Sequence, residues 1–197
     1  MPRRSSLRGF TIIELLVVIA IISLLIGIIG PTLSAARRHA ERATCAAHLR
    51  EVGLALRSYL DGNEEKLPYA SFMPSVGPFP LPLKGESIYI AKVLSPDTGG
   101  QSQIFQCPSD KPDNTRDEPN RNKSYYQTEM SSYEFQWRLG GETLEEFVKE
   151  VEGRHGRRLQ LTSIWLFRDY NNFHGPGGTP GARRYLYIDG HVTDYEY

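Results

Sequence analysis

The sequence lacks the features that mark an enzyme or a nucleic-acid-binding protein. Its 23 basic and 23 acidic side chains give a formal net charge of 0, so the composition provides no strongly basic field for nucleic acid. It contains no glycine-rich phosphate-binding loop, no Gly-x-Ser-x-Gly elbow around a nucleophilic serine and no Cys-x-x-Cys pair. We therefore expect a protein that is not an enzyme and does not bind nucleic acid.

Cysteine is scarce, and the two in the chain are Cys45 and Cys107. In an oxidising, exported compartment such a pair readily forms a disulfide bond. A bond between them would close a long loop and contribute roughly 4 kcal/mol through the entropy of the unfolded chain. The alternative is a pair of buried thiols.

Charge is nearly absent from residues 10–30, where Glu14 is the one ionisable side chain. Twenty-one residues of helix rise about 32 Å, which matches the core of a bilayer. This stretch therefore predicts a membrane-spanning helix. Arg3, Arg4 and Arg8 precede it, as in the charged start of a signal peptide, and they favour a cytoplasmic N-terminus.

The residues around this apolar stretch indicate that it is retained. No Ala-x-Ala-like cleavage site follows it, and the small residue at its start is Gly9. Cleavage after Gly9 would remove the basic leader and leave a free amine on Phe10. Insertion of a charged side chain such as Glu14 into a membrane costs about 2.5–3.5 kcal/mol, so we expect this carboxylate to have a partner. The alternative is that it lies near the helix end and extends to the membrane interface. Pro31 weakens the helix because it lacks an N–H and clashes with the carbonyl of Gly27.

The segment Gly-Phe-Thr-Ile-Ile-Glu-Leu at 9–15 resembles the type III signal of type IV pilins and of the pseudopilins of type II secretion, and the likeness extends over 9–31. The resemblance implies that a prepilin peptidase cleaves after Gly9 and methylates the amine of Phe10. It also implies that Glu14 meets the N-terminal amine of a neighbouring subunit during filament assembly, and that the helix loosens in the region ending at Pro31.

Residues 32–61 predict an amphipathic continuation of this helix. Its apolar stripe consists of Cys45, Leu49, Val52, Leu56 and Tyr59. Gly62 is expected to end the helix in a left-handed conformation. The chain thus divides into a leader over 1–9, a long helix over 10–61 (transmembrane over 10–30, amphipathic over 32–61) and a loop-rich head over 62–197.

The fold class predicted is α+β, with the long helix packed on a small antiparallel sheet. The expected elements of the head are a helical turn within 87–94, an extended segment over 103–107, a β-rich stretch over 124–137, a helix over 144–152 and a strand over 163–168. Thr143 and Glu146 have the spacing of a capping box. Asp189 and Gly190 predict a two-residue turn in a hairpin between 184–188 and 191–195.

Candidate metal ligands lie around this hairpin, at Asp169, His174, Asp189 and His191. Histidine and carboxylate side chains suit zinc or another divalent ion, and some major pseudopilins bind calcium with carboxylates of C-terminal loops. The alternative is structural, with Asp189 as a turn residue and His191 pointing out of a strand. The basic run at 154–158 is either a solvated helix end or a patch for an acidic partner.

The head resembles a pilin-like group described by a C-terminal His-x9-Asp-Gly pattern. The matching pieces are Cys45 with Leu-Ala-Leu-Arg-Ser-Tyr at 54–59, Phe-Gln-Cys-Pro-Ser-Asp at 105–110, His-Gly at 174–175 and Asp-Gly-His-Val at 189–192. More than nine residues separate His174 from Asp189, and the insertion lies in the Gly/Pro run 175–182. A shared role of these two residues is thereby left open.

The resemblances imply a structural subunit of the periplasmic pseudopilus of a type II secretion system. A subunit of a surface type IV pilus, or a membrane-anchored module that binds polysaccharide or protein, is the alternative. The implied partners are other pilin-like subunits, a prepilin peptidase, an inner-membrane secretion platform and membrane lipid. The protein is then a single-pass protein of the bacterial inner membrane with its head in the periplasm.

Overall fold

A computed structural model of the chain describes residues 10–77, 87–155 and 161–194. The predicted leader with Gly9, and Arg157 and Arg158 of the basic run, lie outside the described residues. Helix α1 runs over Ile12–Gly62, a length of 51 residues. The chain divides into two compact units, Met1–Ala40 with the start of α1 and Glu41–Tyr197 with its end and the head.

The first unit contains the apolar part of α1. Its large apolar side chains are exposed, from 46% for Val18 to 80% for Ile12. Among the described residues, α1 is the one helix that is long and apolar enough to cross a membrane. This confirms the long apolar helix predicted from residues 10–30.

The helix continues through Pro31 without a break. Near the proline, Thr32 Oγ1 donates to the carbonyl of Ile29 at 2.8 Å and Ser34 Oγ donates to that of Gly30 at 3.2 Å. These hydroxyl groups bond to carbonyls that follow Gly27, whose own carbonyl is the one that loses an N–H partner at Pro31. In the single subunit the helix is unbroken here, and the loosening that the resemblance implies for filaments stays a prediction.

The second unit is built on the part of α1 that begins at Glu41 and ends at Gly62. The predicted apolar stripe is buried there, with Cys45, Leu49 and Val52 at 0% exposure and Leu56 at 1%. Leu60, rather than the predicted Tyr59, is the last buried member of the stripe. The left-handed cap predicted at Gly62 is wrong, because the residues with positive φ are the following Glu64 and Glu65.

Four short strands form an antiparallel sheet in the order β1-β2-β3-β4. They are β1 Tyr133–Phe135, β2 Trp165–Asp169, β3 Arg184–Tyr187 and β4 Val192–Asp194. Phe135, Phe167 and Leu186 of this sheet join the apolar stripe of α1 in one core. A Cβ built on Gly53 would lie 2.9 Å from Leu186 Cδ2, so helix and sheet are in close contact at this glycine. The α+β fold with a long helix and a small antiparallel sheet is confirmed.

The loop of the last hairpin is longer than predicted. Leu186 pairs with Val192, and Tyr187 N donates to the carbonyl of His191, which leaves three residues in the loop. Gly190 N donates to the carbonyl of Tyr187, and Gly190 alone in this loop has a positive φ, of 84°. Asp189 and Gly190 are therefore not the two central residues of a two-residue turn, because that turn needs a positive φ at both.

Short helices connect these elements. They are α2 Ile90–Val93, α3 Tyr125–Glu129 and α4 Leu144–His155, with 3₁₀ turns at Ser95–Thr98, Ser102–Phe105, Trp137–Leu139 and Leu161–Ser163. The capping box at the start of α4 is formed, since Thr143 N donates to Glu146 at 2.8 Å and Glu146 N donates to Thr143 Oγ1 at 3.3 Å. The extended segment predicted over 103–107 is wrong, because a 3₁₀ turn occupies most of it. The buried residues of this 3₁₀ turn are Ile104 and Phe105.

Candidate functional site

The start of α1 carries a capping box that involves Glu14. The Glu14 carboxylate accepts hydrogen bonds from Thr11 N and Thr11 Oγ1, both at 2.8 Å. In return, Glu14 N donates to Thr11 Oγ1 at 3.3 Å. Thr and Glu three positions apart are the signature of this motif, so the signal was present in the sequence and was missed. A single subunit therefore already gives this carboxylate a local partner.

The apolar surface that follows is open. In the most apolar window of α1, no residue is buried within the chain. Phe10, the residue expected to carry the mature amine, is itself 73% exposed. In water such a surface would be strongly unfavourable, whereas lipid or other apolar helices would cover it.

A second candidate site lies inside the head, where Cys45, Cys107, Asp169 and His174 meet. Their ligand-type atoms all lie within 4.8 Å of one another, and all four residues are buried. A disulfide bond joins the two cysteines, whose Cα atoms are 5.1 Å apart. The structure thus brings two of the four predicted metal ligands together with the predicted disulfide pair.

The two cysteines are held by different parts of the head. Cys45 lies on the buried stripe of α1, and the hydroxyl of Tyr133 lies 3.4 Å from its carbonyl oxygen. Cys107 follows the 3₁₀ turn Ser102–Phe105, and its N–H donates to Ser132 Oγ at 2.9 Å. Helix and loop therefore meet at the disulfide, and both backbones are anchored at that point.

Asp169 and His174 come from the sheet and from the connection that follows it. Asp169 is the last residue of β2, and its Oδ2 accepts a hydrogen bond from Arg184 N of β3 at 2.7 Å. The backbone of His174 is fixed by a bond from its N–H to the carbonyl of Ala182 at 3.1 Å. Arg42 of α1 donates to the carbonyl oxygen of His174. The side chains therefore face the disulfide from a framework of backbone hydrogen bonds.

The imidazole of His174 lies between a sulfur and a carboxylate. Its Nε2 is 3.6 Å from Cys107 Sγ and 3.5 Å from Asp169 Oδ2. Burial, together with the positive charges of Arg184 and Arg42, lowers the pKa of His174 to about 4. Burial raises the pKa of Asp169 well above its ordinary value. At neutral pH the imidazole is uncharged, so its contact with Asp169 is not an ion pair.

Two atoms of this cluster have no hydrogen-bond partner in the described part of the chain. They are Asp169 Oδ1 and His174 Nδ1, and both are buried. By contrast, the buried Glu129 accepts bonds from Ser75 N at 2.9 Å and from the Arg116 guanidinium at 3.0 Å. Buried polar atoms are nearly always paired, so an unpaired carboxylate oxygen needs a specific explanation.

The other two predicted metal ligands lie elsewhere. Asp189 and His191 contact each other at the exposed loop of the last hairpin, and the His191 ring stacks on Tyr187 with centroids 4.4 Å apart. Asp169 lies beside Arg184 at the start of β3, whereas Asp189 follows the end of that strand. The four residues are therefore split between the two ends of β3 and do not form one site.

Sequence reasoning missed a buried polar group that supports the cluster. The Asp110 carboxylate accepts bonds from Ser132 Oγ at 2.7 Å and from the N–H groups of Tyr125 and Tyr126 at 3.1 and 2.8 Å. Asp110 thereby joins the segment after Cys107 to the start of α3. Its position in Cys-Pro-Ser-Asp is the only local signal for this role, and the partners lie more than a dozen residues away.

Comparison with known proteins bears on the N-terminal segment. Residues 4–30 match the family described as the prokaryotic N-terminal methylation motif. No curated protein and no solved structure matches the chain. The chain therefore carries a type IV pilin-like signal, as the resemblance over 9–31 indicated. The match does not extend to the head, where the likeness to the His-x9-Asp-Gly group stays a prediction.

Proposed function

We propose that this pilin-like subunit assembles through α1 into the periplasmic pseudopilus of a type II secretion system. One observation carries the proposal: an exposed apolar helix behind a methylation signal, with Glu14 as its one charge, continues into the helix on which the head is built. Members with this signal are structural subunits rather than enzymes, and the proposed role is likewise one of assembly.

Processing is the first step of the proposed function. A prepilin peptidase cleaves after Gly9 and methylates the amine of Phe10, which removes Arg3, Arg4 and Arg8. The mature chain then begins with the apolar helix. The subunit remains a single-pass protein of the inner membrane, with its head in the periplasm, an oxidising compartment that suits the Cys45–Cys107 disulfide.

Assembly of the stems needs more than apolar contact. A helix that leaves lipid for a bundle of helices gains little from the hydrophobic effect, because lipid tails are as apolar as leucine. A charge pair in this low-dielectric setting is worth much more than one in water. We assign that role to Glu14 and the amine of the neighbouring Phe10, in addition to the local bonds from Thr11, which the carboxylate keeps. Loosening of the helix near Pro31 would accompany the same step.

Localisation tests this proposal. In cells that contain the remaining subunits, the inner membrane, the periplasm and sheared surface fibres are separated, and the chain is identified by mass spectrometry of its N-terminus. We expect a methylated Phe10 terminus, a periplasmic filament and loss of secretion when the chain is deleted. A sheared surface fibre containing the chain would instead identify a type IV pilus subunit. An N-terminus that retains residues 1–9 in assembled material would overturn the processing step.

A further inference from the structure

The buried cluster of the head has the composition of a metal site. Cys45 and Cys107 supply two sulfur atoms, His174 one ring nitrogen and Asp169 one carboxylate oxygen, all within 4.8 Å. Cysteine, histidine and aspartate side chains all bind zinc, and a structural zinc site holds four ligands with no open position. The four residues come from three separate stretches of the chain, at Cys45, at Cys107 and at 169–174, so the cluster is a product of the fold and not of one local motif.

The distances within the cluster fit such a site. Zinc bonds of 2.0–2.3 Å to oxygen, nitrogen and sulfur place neighbouring ligands of a tetrahedron about 3.3–3.8 Å apart. His174 Nε2 lies 3.6 Å from Cys107 Sγ and 3.5 Å from Asp169 Oδ2. The nitrogen–sulfur distance matches an edge of a zinc tetrahedron, and the contact with Oδ2 places the carboxylate beside the imidazole, with Oδ1 as the oxygen that would bind the ion.

The unpaired atom of Asp169 is an independent observation. Asp169 is completely buried, and its Oδ1 has no hydrogen-bond partner among the residues that the structure describes. The other oxygen, Oδ2, is oriented by Arg184 N at 2.7 Å. A carboxylate fixed at one oxygen and unpaired at the other, beside an imidazole, is the arrangement that a bound cation would complete.

We propose that the head binds one divalent ion of the zinc class through Cys45, Cys107, His174 and Asp169 when the two cysteines are reduced. The disulfide form and the metal-bound form are then alternative states of one site. The inference concerns the head alone and does not rest on the assembly of the stem.

The chemistry of the exchange balances with a dithiol as the reductant. The two thiols of the reductant become a cyclic disulfide, and the Cys45–Cys107 bond becomes two cysteine thiols. Metal binding then releases the two thiol protons to solvent, since thiolates are the ligands. The sulfur atoms separate from bonding distance to about 3.8 Å, the edge of the tetrahedron. Two thiolates and a carboxylate around a divalent ion give a net charge of −1.

The surroundings suit that charge. Positive side chains act on the site from both sides, with Arg42 on α1 and Arg183 and Arg184 at the start of β3. Arg42 also contacts the backbone of His174 directly. His174, at 7% exposure, is the most accessible of the four ligands, and residues 176–180 that follow it are exposed. This connection is the route by which reductant and metal would enter.

The test uses the full chain in detergent and Co²⁺ as a spectroscopic probe of zinc sites. The protein is reduced with a dithiol, freed of it by gel filtration without oxygen, and titrated with Co²⁺ and then with Zn²⁺. We expect one Co²⁺ per chain, with thiolate charge-transfer and strong visible bands of a tetrahedral ion, and displacement by Zn²⁺. The oxidised protein should show neither band.

Variants separate the proposed ligands from the hairpin pair. His174→Asn and Asp169→Asn should each weaken Co²⁺ binding by more than about 100-fold, beyond the loss usual for an outer partner. The matched control His191→Asn, in the exposed pair with Asp189, should leave binding unchanged. Equal binding by His174→Asn and wild type, or bound Co²⁺ without thiolate bands, would overturn the proposal.

Folding of the reduced protein is followed by the fluorescence of Trp137 and Trp165, the two tryptophans of the chain, both of which lie in the head. If reduction alone changes this spectrum, stoichiometric metal should restore the spectrum of the oxidised protein. A reduced protein that neither binds Co²⁺ nor recovers its fluorescence would contradict the inference as directly as a folded protein without thiolate bands.

Discussion

The Glu14 carboxylate has a partner in its own subunit and a proposed partner in a neighbouring subunit. Substitutions at Thr11 and Glu14 can separate the two interactions. Within one subunit, the carboxylate accepts two hydrogen bonds from Thr11 at 2.8 Å. In the proposed filament, it pairs with the amine of a neighbour. Glu14→Gln keeps an acceptor for Thr11, because glutamine also serves in a capping box, but removes the charge. Thr11→Val removes the hydroxyl and keeps the charge.

The two interactions differ in magnitude. Loss of a capping side chain costs about 0.5–2 kcal/mol of helix stability. Because the cap is present both before and after assembly, its loss largely cancels from the free energy of assembly. A buried charge left without its partner costs about 3–5 kcal/mol. Since about 1.4 kcal/mol is a factor of ten, Glu14→Gln and Glu14→Leu should lower incorporation into filaments by roughly 100-fold or more. We expect Thr11→Val to lower it by less than about fivefold, and Glu14→Asp to be intermediate because its reach is shorter.

The assay is stem-to-stem photocrosslinking in cells that contain all other subunits. A photoreactive residue replaces Leu24, whose side chain is 65% exposed on α1. Membrane fractionation provides the control, because all four variants should insert as well as wild type. If Glu14→Gln crosslinks like wild type while Thr11→Val fails, the carboxylate acts through its cap, and the intersubunit pair is refuted.

Three further predictions concern processing, packing and pH. Gly9→Val should block cleavage, because the peptidase needs a small residue there, and mass spectrometry should find the leader on the protein; a Phe10 terminus would contradict this. Gly53→Ala places a Cβ 2.9 Å from Leu186 Cδ2, the end of a buried side chain that must then shift, so it should add less than the about 1 kcal/mol of unfolding free energy that alanine brings to a helix, and less than the control Gly62→Ala, where nothing lies within 4 Å. Urea unfolding followed by tryptophan fluorescence measures both, and equal effects would refute the contact. Burial raises the pKa of Asp110 in the folded protein. As the pH rises above about 4, this carboxyl group therefore loses its proton in the unfolded chain before it does so in the folded protein. Its ionisation should then lower the free energy of unfolding. In Asp110→Asn, the free energy of unfolding should decline less between pH 4 and 7 than in the wild type. The same dependence on pH in both proteins would contradict this prediction.

Features with local signals were predictable from the sequence. The apolar stem depends on composition alone, and the Thr143–Glu146 cap depends on residues three apart. The buried stripe of α1 follows helical spacing from Cys45 to Leu56. In each case the interaction lies within one or two turns of helix, so residue order determines which side chains meet.

Features that depend on distant residues were not predictable in detail. Asp169 and His174 are near each other in sequence, but only the packing of α1 against the head places both beside Cys45. Asp189 belongs to the same C-terminal region of the sequence, yet it lies beyond the far end of β3. The pattern Asp-Gly fits both a two-residue and a three-residue hairpin loop, and strand register decides between them.

The buried carboxylates of the head differ in a way that separates structure from function. Asp110 accepts three hydrogen bonds, and Glu134 pairs with the Arg168 guanidinium at 2.7 Å. Such groups are satisfied within the chain, so they hold loops and strands together at little net cost. Asp169 is as deeply buried, but one of its oxygens lacks a partner in the described residues and faces a cluster of sulfur and imidazole. Its other oxygen accepts a hydrogen bond from Arg184 N at 2.7 Å, so the fold of the head accounts for one carboxylate oxygen and not for the other. In the proposed reduced state, a cation would convert the unpaired oxygen into a ligand.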